Sequence, residues 1–257
     1  TEGETLVLGI PYLRESWTVV AAQTEQGLAC SEPIYLAPAT LSTAIPELNL
    51  TASDPDQAQG GYTVTSLITE TASFAAIIDE YGEYVWTHSL DPGFVSRASI
   101  SNDGTSIQVL TWAHSVQAMG TITRFGFDGE LIATTSITGL HTDVVELPDG
   151  AMAGIVWDLR EFVDDEGNVR QMLGDALVEL DSEGNERVVW SAFDSYTPDL
   201  SETYEAVTLG SKENLEDWTH GNGLSYDSDQ DDYLISLFGL GAVIRLDRQS
   251  GEVQWVL

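Results

Sequence analysis

Apolar side chains along this 257-residue chain occur in short runs that either alternate with polar residues or are apolar throughout. The runs are rich in Val, Ile, Thr and aromatic residues, and apolar positions at helical spacing are almost absent. Gly, Asp, Asn and Ser interrupt the runs about every 8 to 12 residues. The pattern therefore predicts an all-β fold built from hairpins.

One hairpin pattern recurs four times: an apolar strand, an Asp, a turn with Gly and a second strand. Its copies are FAAIIDEYGEYVWTHSL from Phe74, TITRFGFDGELIATTSI from Thr121, DALVELDSEGNERVVWSAF from Asp175 and GAVIRLDRQSGEVQWVL from Gly241. An Asp can accept hydrogen bonds from the turn backbone, and Gly takes a positive φ. We therefore interpret the turn carboxylates as structural: Asp79, Asp128, Asp181 and Asp247.

A second type of hairpin lies between these copies, so that two hairpins make one four-stranded unit. Its examples are RASISNDGTSIQVLTW from Arg97, TDVVELPDGAMAGIVWD from Thr142 and NGLSYDSDQDDYLISLF from Asn222. Successive turn glycines of the first type are 47, 55 and 67 residues apart. This spacing predicts β-propeller blades with growing insertions over residues 62–257.

The N-terminal part of the chain has a different pattern. Residues 1–45 contain two β runs around a polar turn and resemble the end of a fibronectin-III-like sandwich, and residues 46–61 have the composition of a linker. About four blades do not close a ring, and an open propeller exposes strand edges. We therefore expect the partner of this chain to be the remainder of a six-bladed type of propeller or another protein subunit.

The charge of the chain excludes two classes of partner. Asp and Glu number 42 against 9 Lys and Arg, for a net charge of -33. Such a surface repels nucleic acid and anionic membranes. No apolar run of about 18 residues predicts a membrane span. The acidic turn at Asp227, Asp229 and Asp231 has the alternating spacing of calcium ligands, although it lacks the usual Gly, and a solvated turn is the favoured interpretation.

Two histidines occupy matching places in the predicted blades. His141 precedes TDVVELPDG, and His220 precedes GNGLSYD. In a propeller, segments that enter the innermost strands face the central channel, where sites are usually built. The two side chains are therefore predicted to point toward one axis. A neutral imidazole could bind a metal and a protonated one an oxyanion, whereas a structural role remains the alternative for each.

The segment DWTHGNGLSYDSDQDDYLISLFGLGAVIRLDRQSGEVQWVL resembles the arylsulfate sulfotransferase (ASST-type) propeller family. That family carries an H-x-N-S motif, a strand that ends in S-R, and I-x-x-I-D-x-x-T-G-x-I-x-W. HTDVVELPDG resembles its H-H-D…L-P-x-G segment, and AAIIDEYGEYVW its first blade. The resemblance covers roughly residues 40–257. It implies an extracytoplasmic, six-bladed propeller that requires no cofactor.

The resemblance also implies a reaction and its residues. The family transfers a sulfuryl group from a phenolic sulfate ester to a phenol through a transiently sulfated His. Other His residues and an Arg hold the sulfate oxygens. The implied site residues of this chain are His220 and His141, with Asn222 as a substrate-binding residue.

Three departures from the family pattern support a second hypothesis. The Arg position falls at Phe238, the second His of the doublet is Thr142, and the nucleophilic His belongs to a later blade, beyond Leu257. The alternative is a secreted, non-catalytic propeller that acts in surface assembly, adhesion or ligand binding.

Overall fold

The computed structural model of the chain describes residues 9–24, 27–52, 54, 56–57, 59–90 and 95–257. These residues form mostly antiparallel β-sheets, with one helical turn at Ala192–Ser195 (α1) and a short 3-10 turn at Phe238–Leu240. The chain packs into two compact units, residues 1–92 with 127–129 and residues 93–126 with 130–257. The all-β prediction is confirmed.

The first unit holds three small sheets. Two of them pair two strands each, β1 with β4 and β2 with β3, and the third has the order β5-β6-β7. The middle strand β6 is almost fully buried, because it is covered along both edges and carries the apolar run SFAAII. The strands are Ser16–Thr18 (β1), Ala21–Thr24 (β2), Gly27–Cys30 (β3), Ile34–Leu36 (β4), Thr63–Ile68 (β5), Ser73–Ile78 (β6) and Tyr84–Leu90 (β7).

Parts of two sequence-based predictions fall outside the described residues. The fibronectin-like segment includes residues 1–8 and 25–26, and the linker includes residues 53, 55 and 58. The described portion of residues 1–45 forms the two-stranded sheets, whose side chains are mostly exposed. The division of the chain at residues 45 and 61 stays a prediction.

The second unit contains successive four-stranded meanders of the kind found in propeller blades. The first has the order β11-β10-β9-β8, the second is built on β12-β13-β14 with β15 beside β14, and the third has the order β18-β19-β20-β21. The strands of the first are Val95–Ile100 (β8), Ser106–Thr111 (β9), Met119–Gly126 (β10) and Leu131–Thr138 (β11). Those of the second are Leu140–Glu146 (β12), Met152–Val163 (β13), Val169–Leu180 (β14) and Glu186–Ser191 (β15).

An insertion separates the second blade from the third. It consists of α1 and a hairpin of Glu205–Leu209 (β16) and Lys212–Asp217 (β17). The strands of the third blade are Gly221–Asp227 (β18), Asp232–Leu237 (β19), Ala242–Asp247 (β20) and Val253–Val256 (β21). All seven hairpins predicted from the sequence are antiparallel pairs of consecutive strands.

Three of the predicted turn carboxylates, Asp79, Asp181 and Asp247, accept backbone N–H groups of their own turns. Asp181 Oδ1 accepts the backbone N–H groups of Glu183 and Asn185 at 2.9 and 2.8 Å. Gly184 takes a φ of 88° in the same turn, which favours glycine. Side-chain and backbone hydrogen bonds from Asn185 hold the pKa of Asp181 below its usual value. These carboxylates stabilise their hairpins and are not part of the candidate site.

Apolar faces of neighbouring blades pack against each other. One cluster of buried side chains joins the first and second blades, with Leu110, Ile137 and Leu140 among its members. A larger cluster joins the second and third blades and includes Trp190 and Tyr233. Burial at about 25 cal/mol per Å² of apolar surface makes this packing the main stabilising contribution.

The second blade is extended at one end, and this extension positions the candidate site. Strands β13 and β14 are 12 residues long each, and their pairing continues well past the start of β12 at Leu140. Strand β17 pairs in parallel with this part of β14, with Leu173 opposite Asp217. The chain therefore enters β18 from a strand that is already fixed to the second blade.

Candidate active site at the start of two inner strands

Strands β12 and β18 each begin with an irregular pairing. In β12, His141 pairs with Ile155 and Val144 with Gly154, so that two residues bulge out. In β18 the pairing shifts between Gly221 and Gly223. Two non-glycine residues there have left-handed backbones, Thr142 with a φ of 53° and His220 with a φ of 48°. This conformation costs roughly 1–2 kcal/mol per residue, so surrounding contacts must hold it in place.

His141 is enclosed by the protein. Its side chain is 1% exposed, and its ring stacks on Trp157 with centroids 3.5 Å apart and planes 5° apart. Trp112 presents an edge to the same ring, with centroids 6.2 Å apart. His141 Nδ1 lies 2.7 Å from the Thr142 hydroxyl. Nε2 lies 3.0 Å from Asp175 Oδ1, in an ion-pair contact without hydrogen-bond geometry. Both ring nitrogens therefore face protein groups.

Asp175 connects His141 to the start of β18. It lies in the central strand β14 and is 1% exposed. Its Oδ2 accepts hydrogen bonds from Thr219 Oγ1 and from the backbone N–H of Gly221, both at 2.6 Å. A Cβ at position 221 would lie 2.8 Å from the Asp175 carboxylate carbon, so this approach requires glycine. The two bonded residues are the immediate neighbours of His220.

His220 is the accessible imidazole of the pair. Its side chain is 45% exposed, and Nδ1 lies 2.6 Å from Oδ2 of Asp217, whose side chain is 5% exposed. When Asp217 is ionised it can only accept a hydrogen bond, and Nδ1 of a neutral His220 ring then donates to it and leaves the lone pair on Nε2. The ring also lies beside Phe238, with centroids 5.4 Å apart and planes at 60°. The imidazole of His220 is thus fixed through Nδ1, and its Nε2 is available to act as a base.

Asp217 differs electrostatically from the turn carboxylates. Burial raises its pKa, and the charge of nearby Asp175 raises it further. The hydrogen bond and charge of His220 and the charge of His141 act in the opposite direction. The pKa of Asp217 therefore depends on both imidazoles and on Asp175.

Backbone pairing fixes His220 from both sides. On the N-terminal side, the Trp218 N–H donates to the Leu173 carbonyl at 2.9 Å, and the Trp218 ring stacks on Phe193 with centroids 4.8 Å apart. On the other side, the His220 carbonyl accepts from the Phe238 N–H at 3.1 Å. This hydrogen bond places Phe238, the residue at the family's Arg position by resemblance, directly opposite His220.

The structure brings together only part of the predicted site. The sequence predicted that His141 and His220 both line a pocket, but His141 is buried and only His220 is exposed. Asn222 is exposed at the irregular start of β18. Phe238 is 70% exposed beside His220.

The three carboxylates considered for calcium lie in the turn at the other end of β18. Asp227 Oδ2 is 3.2 Å from Arg245 Nη2. Asp231 Oδ1 accepts from the Tyr226 hydroxyl at 2.6 Å and contacts Arg248 at 3.3 Å, whereas Asp229 donates its N–H to Asp227. Over the ranges that the structure describes, no group of three or more His, Cys, Asp and Glu side chains is placed to hold a metal ion.

Sequence analysis missed Asp175 and Asp217, the two carboxylates that hold the histidines. Asp217 precedes His220 by three residues in DWTHGN, a spacing with no meaning for a strand until the chain is known to turn there. Asp175 stands in DALVEL, a run that is otherwise typical of a buried strand. A carboxylate buried in such a run needs a polar partner. The Asp in this apolar run was therefore the sequence signal that could have indicated a buried polar site.

Comparison with known proteins identifies relatives of most of the chain. The family model described as Arylsulfotransferase (ASST) matches residues 47–257. A comparison with curated proteins finds no match. Among the described residues, no helix is both long and apolar enough to cross a membrane.

Two solved structures are similar to this chain at low identity. A protein of unknown function from Bacteroides caccae is 13% identical, with 77% of this chain and 62% of that chain covered and a TM-score of 0.44. The hydrazine synthase of Kuenenia stuttgartiensis is 16% identical, with 69% and 50% covered and a TM-score of 0.44. The chain thus spans between half and two thirds of the length of these structures.

Proposed function

We propose that this chain, which belongs to the arylsulfotransferase (ASST) family, forms part of an extracytoplasmic propeller that transfers a sulfuryl group from a phenolic sulfate ester to a phenol. The observation that carries the proposal is the half-exposed imidazole of His220, held through Nδ1 by the buried Asp217 immediately before β18. The remaining blades are the proposed partner of the described ones.

The proposed reaction has two displacement steps. A nucleophilic His outside residues 1–257 attacks sulfur, so that an N–S bond forms while the bond from sulfur to the donor phenolate oxygen breaks. The acceptor phenol oxygen then attacks sulfur, the N–S bond breaks and the acceptor's proton must be removed. His220 Nε2 accepts that proton, and Asp217 stabilises the resulting imidazolium.

Within this mechanism His220 is the catalytic residue and His141 has a positioning role. His141 is 1% exposed, and both of its ring nitrogens face protein groups, so it cannot touch a substrate. Asn222, exposed next to Gly221, is proposed to contact the substrate. Phe238 offers an apolar face beside His220 that suits a phenolic ring better than a free sulfate ion.

The test uses the complete gene product with 4-nitrophenyl sulfate as donor and phenol as acceptor. His220→Gln is expected to lower turnover by about 100-fold or more, because it removes the base. The matched control is His114→Gln, at an exposed imidazole outside the site. Absence of turnover in the unaltered protein would refute the proposal, and so would equal activity of the two variants.

The non-catalytic alternative has its own supporting observations. Thr142 and Phe238 stand where the resemblance places a His and the sulfate-binding Arg, and Phe238 is exposed. A propeller without these donors would bind a neutral aromatic ligand or another protein surface. Binding of 4-nitrophenol without any turnover of 4-nitrophenyl sulfate would favour this function.

A further inference from the structure

We propose that Asp175 is the positioning residue that holds His220 in its left-handed conformation and thereby keeps the imidazole on Asp217. His141 in turn holds Asp175. The inference rests on the proposed role of His220, but its test does not depend on turnover.

The first argument is the symmetry of the contacts around His220. One oxygen of Asp175 accepts from Thr219 Oγ1 and from the Gly221 N–H at 2.6 Å each. These groups lie immediately before and after His220, so the carboxylate clamps both ends of the strained residue. A non-glycine residue with a φ of 48° relaxes unless such contacts over-determine its backbone.

The second argument is the rigidity of the clamp itself. Asp175 comes from the central strand β14, and its other oxygen lies 3.0 Å from His141 Nε2. His141 is fixed by stacking on Trp157. The Asp175 carboxylate is therefore held between the fixed imidazole of the second blade and the Thr219 and Gly221 donors at the start of the third.

The third argument is the electrostatic repulsion between the two buried carboxylates. Asp175 and Asp217 are both buried around one turn, and the charge of Asp175 opposes ionisation of Asp217. Repelling carboxylates in a low-dielectric site destabilise a fold unless each has its own donors. Two buried carboxylates at this turn are explained if each has its own task. Asp175 holds the backbone on both sides of His220, and Asp217 holds its ring.

Three variants test the clamp by removing its acceptors in steps. Asp175→Ala removes both hydrogen bonds, Thr219→Val removes only the hydroxyl with little change of shape, and Asp175→Asn retains an oxygen that can accept from Gly221 and Thr219. The matched control is Asp143→Ala, because Asp143 is also buried and accepts the Leu224 N–H of β18 at 2.8 Å but does not touch the neighbours of His220.

The measurement is the tautomer of His220 in the full chain, read from its side-chain ¹⁵N chemical shifts at a pH where the ring is neutral. We expect the Nδ1–H form in the unaltered protein and its loss in Asp175→Ala. Thr219→Val should show a smaller loss, and Asp175→Asn should keep most of the Nδ1–H form. Asp143→Ala should leave the tautomer unchanged even if it lowers stability.

Several outcomes would overturn the proposal. A persistent Nδ1–H form in Asp175→Ala would mean that the carboxylate does not position the ring, and loss of that form in Asp143→Ala would mean that any loosening of β18 releases it. If Asp175→Ala does not fold, Thr219→Val decides: an unchanged tautomer overturns the proposal. Absence of sulfuryl transfer would refute the proposed function but leave this result intact.

Discussion

The starts of β12 and β18 contain similar sequences, HTD and HGN, but they place their histidines in opposite environments. His141 is 1% exposed and both of its ring nitrogens face protein groups, whereas His220 is 45% exposed and has one held nitrogen. The residue with the left-handed backbone is Thr142 within β12, but it is His220 itself immediately before β18. The histidine that takes the left-handed backbone is accessible, whereas the histidine one position before the left-handed residue is buried.

This difference shows which position of the motif faces outward. By backbone conformation, the counterpart of His220 in β12 is Thr142, the position at which the resembling H-H-D segment has its second His. The first position of the doublet is the buried one. In this chain that position holds the half-buried Thr142, and His141 packs between Trp112 and Trp157.

The largest expected effect is a difference in stability between the two histidines. His141→Ala should lower the free energy of unfolding by about 2–5 kcal/mol, because it opens a cavity beside Trp157 and removes the contact to Oδ1 of the buried Asp175. His220→Ala should cost less, about 1–2 kcal/mol, because the half-exposed ring leaves no closed cavity and water can reach the Asp217 carboxylate that it uncovers. Urea unfolding of both variants measures the difference, and equal losses would contradict the assignment of roles.

The second expected effect is a dependence of the free energy of unfolding on pH that arises from Asp217. Because burial raises its pKa in the folded protein, the folded state binds more protons than the unfolded state between 3.8 and the raised value. Stability from this group is therefore lost as pH rises through that window, by roughly 1.4 kcal/mol per unit of pKa difference.

Asp217→Asn should remove this contribution. The free energy of unfolding of the unaltered protein, measured relative to the variant by urea titration at several pH values, is expected to fall as pH rises above 3.8. Asp181→Asn is the control with opposite sign, because hydrogen bonds lower the pKa of Asp181. A relative stability of Asp217→Asn that does not vary with pH would show that the carboxylate is not perturbed.

A third prediction concerns the position beside His220. Phe238→Arg should tighten sulfate binding about tenfold, because a charge-assisted hydrogen bond contributes about 1.5 kcal/mol or more. Phe238 is 70% exposed, so the change should leave stability within about 0.5 kcal/mol. Val188→Arg, at a residue 65% exposed on an outer strand, controls for added charge in the calorimetric titration. Equal tightening by both variants would place the sulfate elsewhere.

The smallest expected effect lies at the opposite end of β18. Removing divalent cations with a chelator should leave Tm unchanged, because Asp227 and Asp231 are engaged by arginines and a tyrosine. A drop in Tm that added calcium reverses would show that this acidic turn is a second site. The two ends of the strand would then both bind ligands.

Sequence periodicity predicted the hairpins well because their signals are local. Each hairpin combines an alternating apolar run with an Asp and a Gly at fixed offsets, as at Asp181 and Gly184, and the structure confirms these contacts.

The burial of His141 was not predictable in the same way. It depends on Trp157 in the next strand, on Asp175 in the strand after it and on which bulge residue takes a positive φ. The partner of His220 arrives through the parallel pairing of β17 with β14, a long-range contact without a sequence signal. Non-local contacts thus decided which histidine is accessible.

The most direct test of this account is the response of the two imidazoles to ligand. Side-chain ¹H–¹⁵N resonances of the full chain are recorded while 4-nitrophenyl sulfate is added. The account predicts that the His220 resonances shift in a saturable manner and that those of His141 stay unchanged. Saturable shifts at His141 without shifts at His220 would contradict it.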